Sequence, residues 1–301
     1  MINATLINHR NDDMLVVDAA RASMGRTNDQ YTPEQNKRLL NYLAAHQHWS
    51  PFAHPRFTFQ LLKEDIDLYQ LKPNDVTGMV WDSSGADTMY VRHSFYGWIN
   101  LLFKFDLEKV GRTLQQLMPL SMDAYKIISD DPYDLSTAHN HPDFIDETFL
   151  CELPISIARQ EFKHQVGFTR NEISRRYVTD NIRLYDIDIW RSKPSDDIKQ
   201  GSGDPLGRTM QAVGESVQDQ VQRTTYGAYS TLIENGFAAE QARMMLPQSM
   251  IASYYNTGSI AAWKRLINQR LNDSTAQREI RDFSAIVKDQ LVDKYGENIE
   301  V

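Results

Sequence analysis

Apolar and polar residues alternate along Arg56–Leu62, with Phe57, Phe59 and Leu61 on one side and Thr58 and Gln60 on the other. A period of two predicts a half-buried strand. Upstream, Thr32-Pro33-Glu34-Gln35 has the layout of a helix start: a hydroxyl N-cap, proline at the first helical position and glutamine three residues after the cap. The helix it opens carries Leu39, Leu40 and Leu43 and is expected to end near Ala45, with a polar and aromatic loop leading to the strand. Farther on, Leu153, Ile155 and Ile157 share one face of a second short strand, 152–158, which runs into a helix over 159–167 with Gly167 as its C-terminal stop. A long amphipathic helix starts at Gly207 and is closed by Asn235-Gly236. Residues 238–246 predict a helix ended by Pro247, 248–255 a strand, and 259–270 and 274–291 two amphipathic helices. Within 64–150 the apolar spacing predicts helices over 94–105 and 107–120 and a loop over 130–144. No repeat, low-complexity tract or linker composition divides the chain, so residues 1–301 are expected to form one α+β domain with a helical insertion at about 64–150.

Composition narrows the function classes. A chain of 301 residues, 41% of them hydrophobic, can bury one large core or two smaller ones. Its formal net charge of −8 argues against a general nucleic-acid or anionic-membrane binder, which needs a broad basic surface. No apolar run approaches the ~20 residues that span a bilayer, and the first residues lack the basic-then-apolar layout of a signal peptide. A single cysteine, Cys151, allows neither an internal disulfide nor a cysteine zinc cluster. A soluble cytoplasmic protein with no nucleic-acid or membrane partner is the expectation.

Against this acidic background, residues 158–178 concentrate Arg159, Lys163, His164, Arg170, Arg175 and Arg176 directly after an apolar run. On a helix, Arg159 and Lys163 stack one above the other, as do Gln160 and His164, while Phe162 and Val166 point elsewhere. Past Gly167 the chain is expected to turn, and Asn171 to Tyr177 to follow as a polar loop. Ser174 and the arginines, with successive backbone N–H groups, suit a phosphate. Asn171 and Glu172 suit a base or a ribose. Two readings stand: a pocket for a small dianion, foremost a nucleotide monophosphate, or a solvated helix flank with a charged loop. The variety of polar types beside an apolar strand favours the pocket.

These residues resemble the signature of the flavin-dependent thymidylate synthases, Arg-His-Arg followed by Ser-x-Asn-Glu-x-Ser-x-Arg-Tyr. The counterpart here is Lys163-His164-Gln165, then Thr169-x-Asn171-Glu172-x-Ser174-x-Arg176-Tyr177, preceded by Arg159-Gln160. Other blocks agree in the same order: His48 to Phe59, Ala242-Arg243 to Pro247, and Arg270 with Ala276-Gln277-x-Glu279-Ile280. Ala19 to Ser23 is similar to the family's small-residue turn. Departures fall at Lys163, Gln165, Ala53, Ser259 and Ala261, and one extra residue separates His164 from Asn171, as in a divergent, viral-like branch.

The resemblance implies a mixed or antiparallel sheet flanked by long helices, and a homotetramer with sites between subunits. It implies FAD as cofactor, NADPH and methylenetetrahydrofolate as co-substrates, and conversion of dUMP to dTMP. Arg176, Arg270 and His164 would be catalytic. Gln160, Lys163, Glu172, Ser174, Arg175 and Arg243, with Arg176 and Arg270, would hold dUMP. Ser23, His48, Ser50, Lys163, His164, Gln165, Asn171 and Ser259 would lie at the flavin, and His164 also at the folate. Cys151 lies beside Glu152, and a carboxylate neighbour raises a thiol's pKa, so a thiol nucleophile is not expected. No metal is expected at His46 and His48, which stand two apart in a loop. The departures leave two other outcomes on the same scaffold, a dUMP hydroxymethylase or a catalytically lapsed nucleotide-binding protein. Arg243 and Arg270 can equally be a surface arginine and a helix C-terminal charge. Trp190-Arg191 and Lys199 to Ser202 are read either as a loop over the pocket or as a helix cap.

Overall fold

The computed structural model describes residues 2–7, 11–26, 30–62, 78–82, 88–102, 108–125, 145–194, 201–272 and 275–296. Four antiparallel strands make the central sheet, in the order β1 (Asn3–Ile7), β5 (Asp146–Pro154), β7 (Ile251–Ser259), β6 (Phe168–Glu172). β5 and β7 are buried almost throughout, and Cys151 pairs with Tyr254 at their centre. Helices α10 (Ile260–Arg270) and α11 (Arg278–Tyr295) supply the apolar layer packed with this sheet: Trp263, Leu266 and Ile267 on α10, and Ile280, Phe283, Val287 and Leu291 on α11. Their spacing of three and four is one helical face. Trp263 meets Phe149 and Phe168 edge-on at 4.8 and 4.7 Å between ring centroids.

A second sheet runs β2 (Arg56–Leu62), β4 (Thr88–Ser94), β3 (Gly78–Asp82), again antiparallel. Its core joins Phe57, Phe59 and Val91 to Val16 and Val17 of α1 (Asp13–Ala22), Leu40 and Leu43 of α2 (Pro33–Ala45), and Phe52 of the short α3 (Trp49–Phe52). It also takes in Trp98 of α4 (Phe95–Leu102), Leu114 of α5 (Glu108–Leu117) and Met122 of α6 (Pro119–Ala124). The Trp98 indole N–H donates to the Phe57 carbonyl at 2.9 Å, which removes the cost of burying it.

A buried polar seam joins the two sheets. The Arg56 guanidinium donates to the Gly167 carbonyl at 2.8 Å and to Thr169 Oγ1 at 2.7 Å. Asp146 is ion-paired with Arg92, which also donates to Thr58 Oγ1 at 2.8 Å. His54 Nδ1 lies 2.6 Å from Thr257 Oγ1. The seam ties the start of β2 to β6, the strand that leads into the Asn171–Tyr177 segment.

Several sequence expectations are corrected. The 64–150 segment is not only helical: it contributes β3, β4 and the first residues of β5. Both Thr58 and Phe57 are buried, so β2 over 56–59 is covered on both faces rather than half-buried. The predicted strand over 152–158 is shifted: β5 ends at Pro154, and helix α7 takes Ile155–Glu161. Lys163 and His164 therefore sit in the turn after α7, not in a helical stripe with Arg159 and Gln160. Gly167 does not end that helix; it sits at φ +83° in the turn into β6, where a Cβ would meet the Ala262 Cβ at 2.9 Å. β1 carried no sequence expectation; the turn expected over Ala19 to Ser23 is mostly the end of α1, the loop expected before β2 contains α3, and the loop expected from Asn171 starts as the last two residues of β6. α2 opens at Thr32 with the expected reciprocal cap to Gln35, and the long helix α8 runs Arg208–Glu234 before Gly236. The expected loop over 130–144, and Lys199 and Gln200, lie outside the described residues.

Candidate functional site

The Asn171–Tyr177 segment closes one wall of a cavity of about 1150 Å³. The other walls come from the end of α1, the inner face of α2, α3, α7 and Arg243, which follows the one-turn helix α9 (Ala239–Ala242). Among the described residues six arginines line it, Arg21, Arg26, Arg159, Arg175, Arg176 and Arg243, against the one carboxylate of Glu172. None of the six forms a salt bridge with another described residue. In a chain of net charge −8, this is a local inversion of sign that draws and holds an anion.

Backbone bonds set the wall. Ser174 N–H donates to the Ser23 carbonyl at 2.9 Å, fastening the segment to the end of α1. Tyr177 and Val178 N–H both return to the Ser174 carbonyl at 3.0 Å, which turns the chain sharply around Arg175 and Arg176. Arg175 points into this turn and donates to the Asp180 carbonyl at 2.7 Å, so its guanidinium is spent on the loop; burial lowers its pKa. Arg176 stays exposed, 3.4 Å from Ser174 Oγ and beside the Tyr177 ring. Asn171 donates to the Ala19 carbonyl at 3.0 Å, while its buried Oδ1 has no partner among the described residues. A buried acceptor left open on a cavity wall costs stability unless a ligand supplies a donor. Loss of solvation at the wall raises the Glu172 carboxyl above its ordinary range, and Arg243 and then Arg175 oppose the shift.

Ser23, His48, Ser50, Asn171, Glu172, Ser174, Arg175, Arg176 and Arg243 thus all line one cavity. Gln160, Lys163, His164, Gln165, Ser259 and Arg270 do not. On α7, Arg159 faces the cavity, while Gln160 turns toward Gln277, whose Oε1 accepts from its amide at 2.6 Å. Arg270, the last residue of α10, donates from Nε to His164 Nε2 at 2.9 Å and from Nη2 to the Gln160 carbonyl at 3.3 Å. His164 is buried there, and burial, then Arg270, lower its pKa to about 4. Its ring is therefore neutral near pH 7 and accepts at Nε2. Lys163 and Gln165 are exposed in the same turn. Ser259 is fully buried and caps α10, accepting from Ala262 N–H at 3.2 Å. Of the three arginines expected to hold dUMP from distant parts of the chain, Arg176 and Arg243 line the cavity and Arg270 does not; it belongs to a second patch.

Sequence reasoning missed the α1–α2 side of the cavity. Arg21 lies 3.3 Å over the Tyr31 ring and donates to Asn36 Oδ1 at 2.6 Å, and Arg26 reaches the Tyr31 hydroxyl at 3.0 Å. Arg26, Tyr31 and Asn36 carry no local signature; only folding brings α1 against β6 and α2 against α1. Cys151 is fully buried, and burial followed by Glu161 pushes its thiol pKa well up, which removes the thiolate a nucleophile needs. No group of three potential metal ligands occurs among the described residues.

The family model described as thymidylate synthase complementing protein matches residues 5–70 and 136–295. A flavin-dependent thymidylate synthase of Aquifex aeolicus is 26% identical over 93% of this chain and 94% of its own length. Those of Treponema denticola and Thermus thermophilus are 30% and 31% identical over 52% and 46% of this chain, covering 59% and 49% of their own lengths. Two solved structures of a UMP/dUMP methylase PolB from Streptomyces cacaoi, bound with 5-Br UMP and 5-Br dUMP, align at 18% identity with TM-scores of 0.48 and 0.45, covering 99% and 97% of this chain and 93% and 90% of theirs. The family match spans both the N-terminal elements and the segment with the cavity wall, and on that ground the chain belongs to the thymidylate synthase complementing protein family.

Proposed function

We propose that the protein converts dUMP to dTMP, with FAD as cofactor and NADPH and methylenetetrahydrofolate as co-substrates. The observation that carries this is the cavity whose described lining has six arginines, none in a salt bridge with another described residue, around the one carboxylate of Glu172. Arg243 and the Ser174 hydroxyl are set for a phosphate dianion, since charge-assisted bonds of this kind are about twice as strong as neutral ones. Glu172 reaches a ribose or a base edge. The residues also fit a flavin. The cavity exceeds the ~300–1,000 Å³ of an ordinary small-molecule site, which leaves room for a nucleotide and a cofactor together. Its Tyr31, Tyr42 and Leu39 offer apolar faces, and the open Asn171 Oδ1 offers an acceptor.

The reduced flavin supplies the hydride and the folate the one-carbon unit. The chain's own task is placement and charge. Arg176 and Arg270 stabilise negative charge growing on the uracil carbonyls, as fixed cations do in a site that excludes water. His164, neutral and held at Nε2, orients Arg270 without adding a competing charge. The uracil ring is activated without a thiol, since Cys151 is sealed in the sheet.

The same reading makes the active form a homotetramer with each site between subunits. Two features support it. Arg270 and His164 stand apart from the cavity that holds Arg176. Along α8, Met210, Val213, Val217 and Val221 form an exposed apolar stripe at helical spacing, each about half exposed. Residues of about 64–150, of which 71–135 are left out by the family match, are then an insertion in a single domain. We place the protein in the cytoplasm; no helix among the described residues is long and apolar enough to cross a membrane. Incubating the purified protein with dUMP, FAD, NADPH and methylenetetrahydrofolate tests the reading. Formation of dTMP is expected, and a nucleotide recovered unchanged would overturn it.

A further inference from the structure

We propose that Glu161, acting through Arg170, is a positioning residue that holds His164 and Arg270 in their working arrangement; this rests on the reading of Arg270 as a dUMP residue. Glu161 lies outside the signature quoted above, and Arg170 stands at its unspecified place between Thr169 and Asn171. Glu161 is the last residue of α7 and is 0% exposed. Its carboxylate takes four donors: Arg170 Nε at 3.0 Å and Nη2 at 2.7 Å, Tyr254 Oη at 3.1 Å and Asn256 Nδ2 at 3.0 Å. Two donors on each oxygen complete its hydrogen bonding.

The same Arg170 Nη2 reaches the carbonyls of Glu161 and His164. One guanidinium thereby clamps the turn between α7 and β6 at its beginning and at His164, with the Phe162 and Phe168 rings 5.3 and 5.0 Å from its centre. The His164 backbone is fixed by that clamp. Its ring can then accept from Arg270 Nε, while Arg270 Nη2 rests on the Gln160 carbonyl. The line runs from the β7 residues Tyr254 and Asn256, through Glu161 and Arg170, to His164 and Arg270.

Stability alone does not account for the pair. Burying a carboxylate and a guanidinium costs desolvation, and apolar residues of similar volume are often no less stable. Phe162, Phe168 and the ring of Tyr254 flank the pair, while a hydrophobic filling would leave the buried Tyr254 Oη and Asn256 Nδ2 without the carboxylate they donate to. A hydrophobic pair would also lack the donor for the His164 carbonyl, the one of these bonds that fixes the turn. The pair therefore supplies geometry to the turn.

The test uses Arg170→Lys, which keeps a cation beside Glu161 but lacks the fork that reaches both the carboxylate and the His164 carbonyl. Glu161→Asp, which withdraws the carboxylate by one methylene, is the second variant. Thermal melts establish that each is folded. Carbon-detected NMR of His164 reads its environment without substrate or cofactor: the titration midpoint is expected to rise from about 4 toward the ordinary ~6.5. In the full assay kcat/KM for dUMP is expected to fall ten- to hundredfold, as small misplacements of reacting groups do. A folded variant with the wild-type His164 midpoint and unchanged kcat/KM overturns the proposal. Wild-type protein that makes no dTMP would sink the functional reading instead, and the His164 midpoint would still decide whether the clamp positions that ring.

Discussion

Two clusters of the same residue types behave in opposite ways. Along the cavity, Arg176 and Arg243 reach toward open space, and Asn171 keeps a buried acceptor without a partner among the described residues. At the end of α10, Arg270, His164 and Gln160 satisfy one another, and the turn that carries them is clamped from beneath by Arg170. The first cluster is built to receive an anion. The second is built to keep one arginine still. A single chain thus holds two kinds of preorganisation, one by electrostatic surplus and one by hydrogen-bonded closure, and in the proposed assembly they meet across subunits.

The largest effect is expected on the open side. Arg176→Ala should weaken dUMP binding by about 2–4 kcal/mol, because it strips a charge partner from a desolvated anion; calorimetry that finds an unchanged Kd would remove Arg176 from the site. Next comes the assembly. Val217→Glu puts a charge in the middle of the exposed α8 stripe and should shift the protein to a smaller species by light scattering, with turnover lost alongside. An intact mass would move the subunit contact elsewhere. The smallest effect concerns the closed side and pH. The folded His164 pKa of about 4 lies below its ordinary 6.5, so between these values the unfolded chain binds the proton first. Stability from this residue is present above about pH 6.5 and is lost as pH falls through the window. His164→Asn should flatten the slope of Tm against pH between 6.5 and 4 by a few degrees. An unaltered slope would mean that the ring titrates as it does in water.

Local chemistry explains which parts of this were readable in advance. The start of α2 was, because its signals, a threonine cap, a proline and a glutamine, lie within four residues and act on each other. The end of α8 was, because Gly236 takes a positive φ that few other residues tolerate. β6 was not: Thr169, Arg170 and Asn171 read as loop, and only pairing with β7 makes them strand. β3 and β4 were hidden for the same reason, since their partners are each other and β2. In the site, Asn171, Glu172, Ser174 and Arg176 were recognisable as one motif and share one wall. The contact of Arg270 with His164 spans 106 positions, and the roles of Ser259 as a cap and Arg175 as a loop anchor depend on neighbours that no spacing rule supplies.

Complementation between two crippled chains decides whether the open and closed clusters form one site. Arg176→Ala and Arg270→Ala, each purified alone, should be nearly inactive while folded and of wild-type mass. Co-expressed, they should regain dUMP turnover, because a mixed assembly contains sites that take Arg176 from one copy and Arg270 from another. Mixed assemblies verified by mass that stay as inactive as either parent would contradict the account.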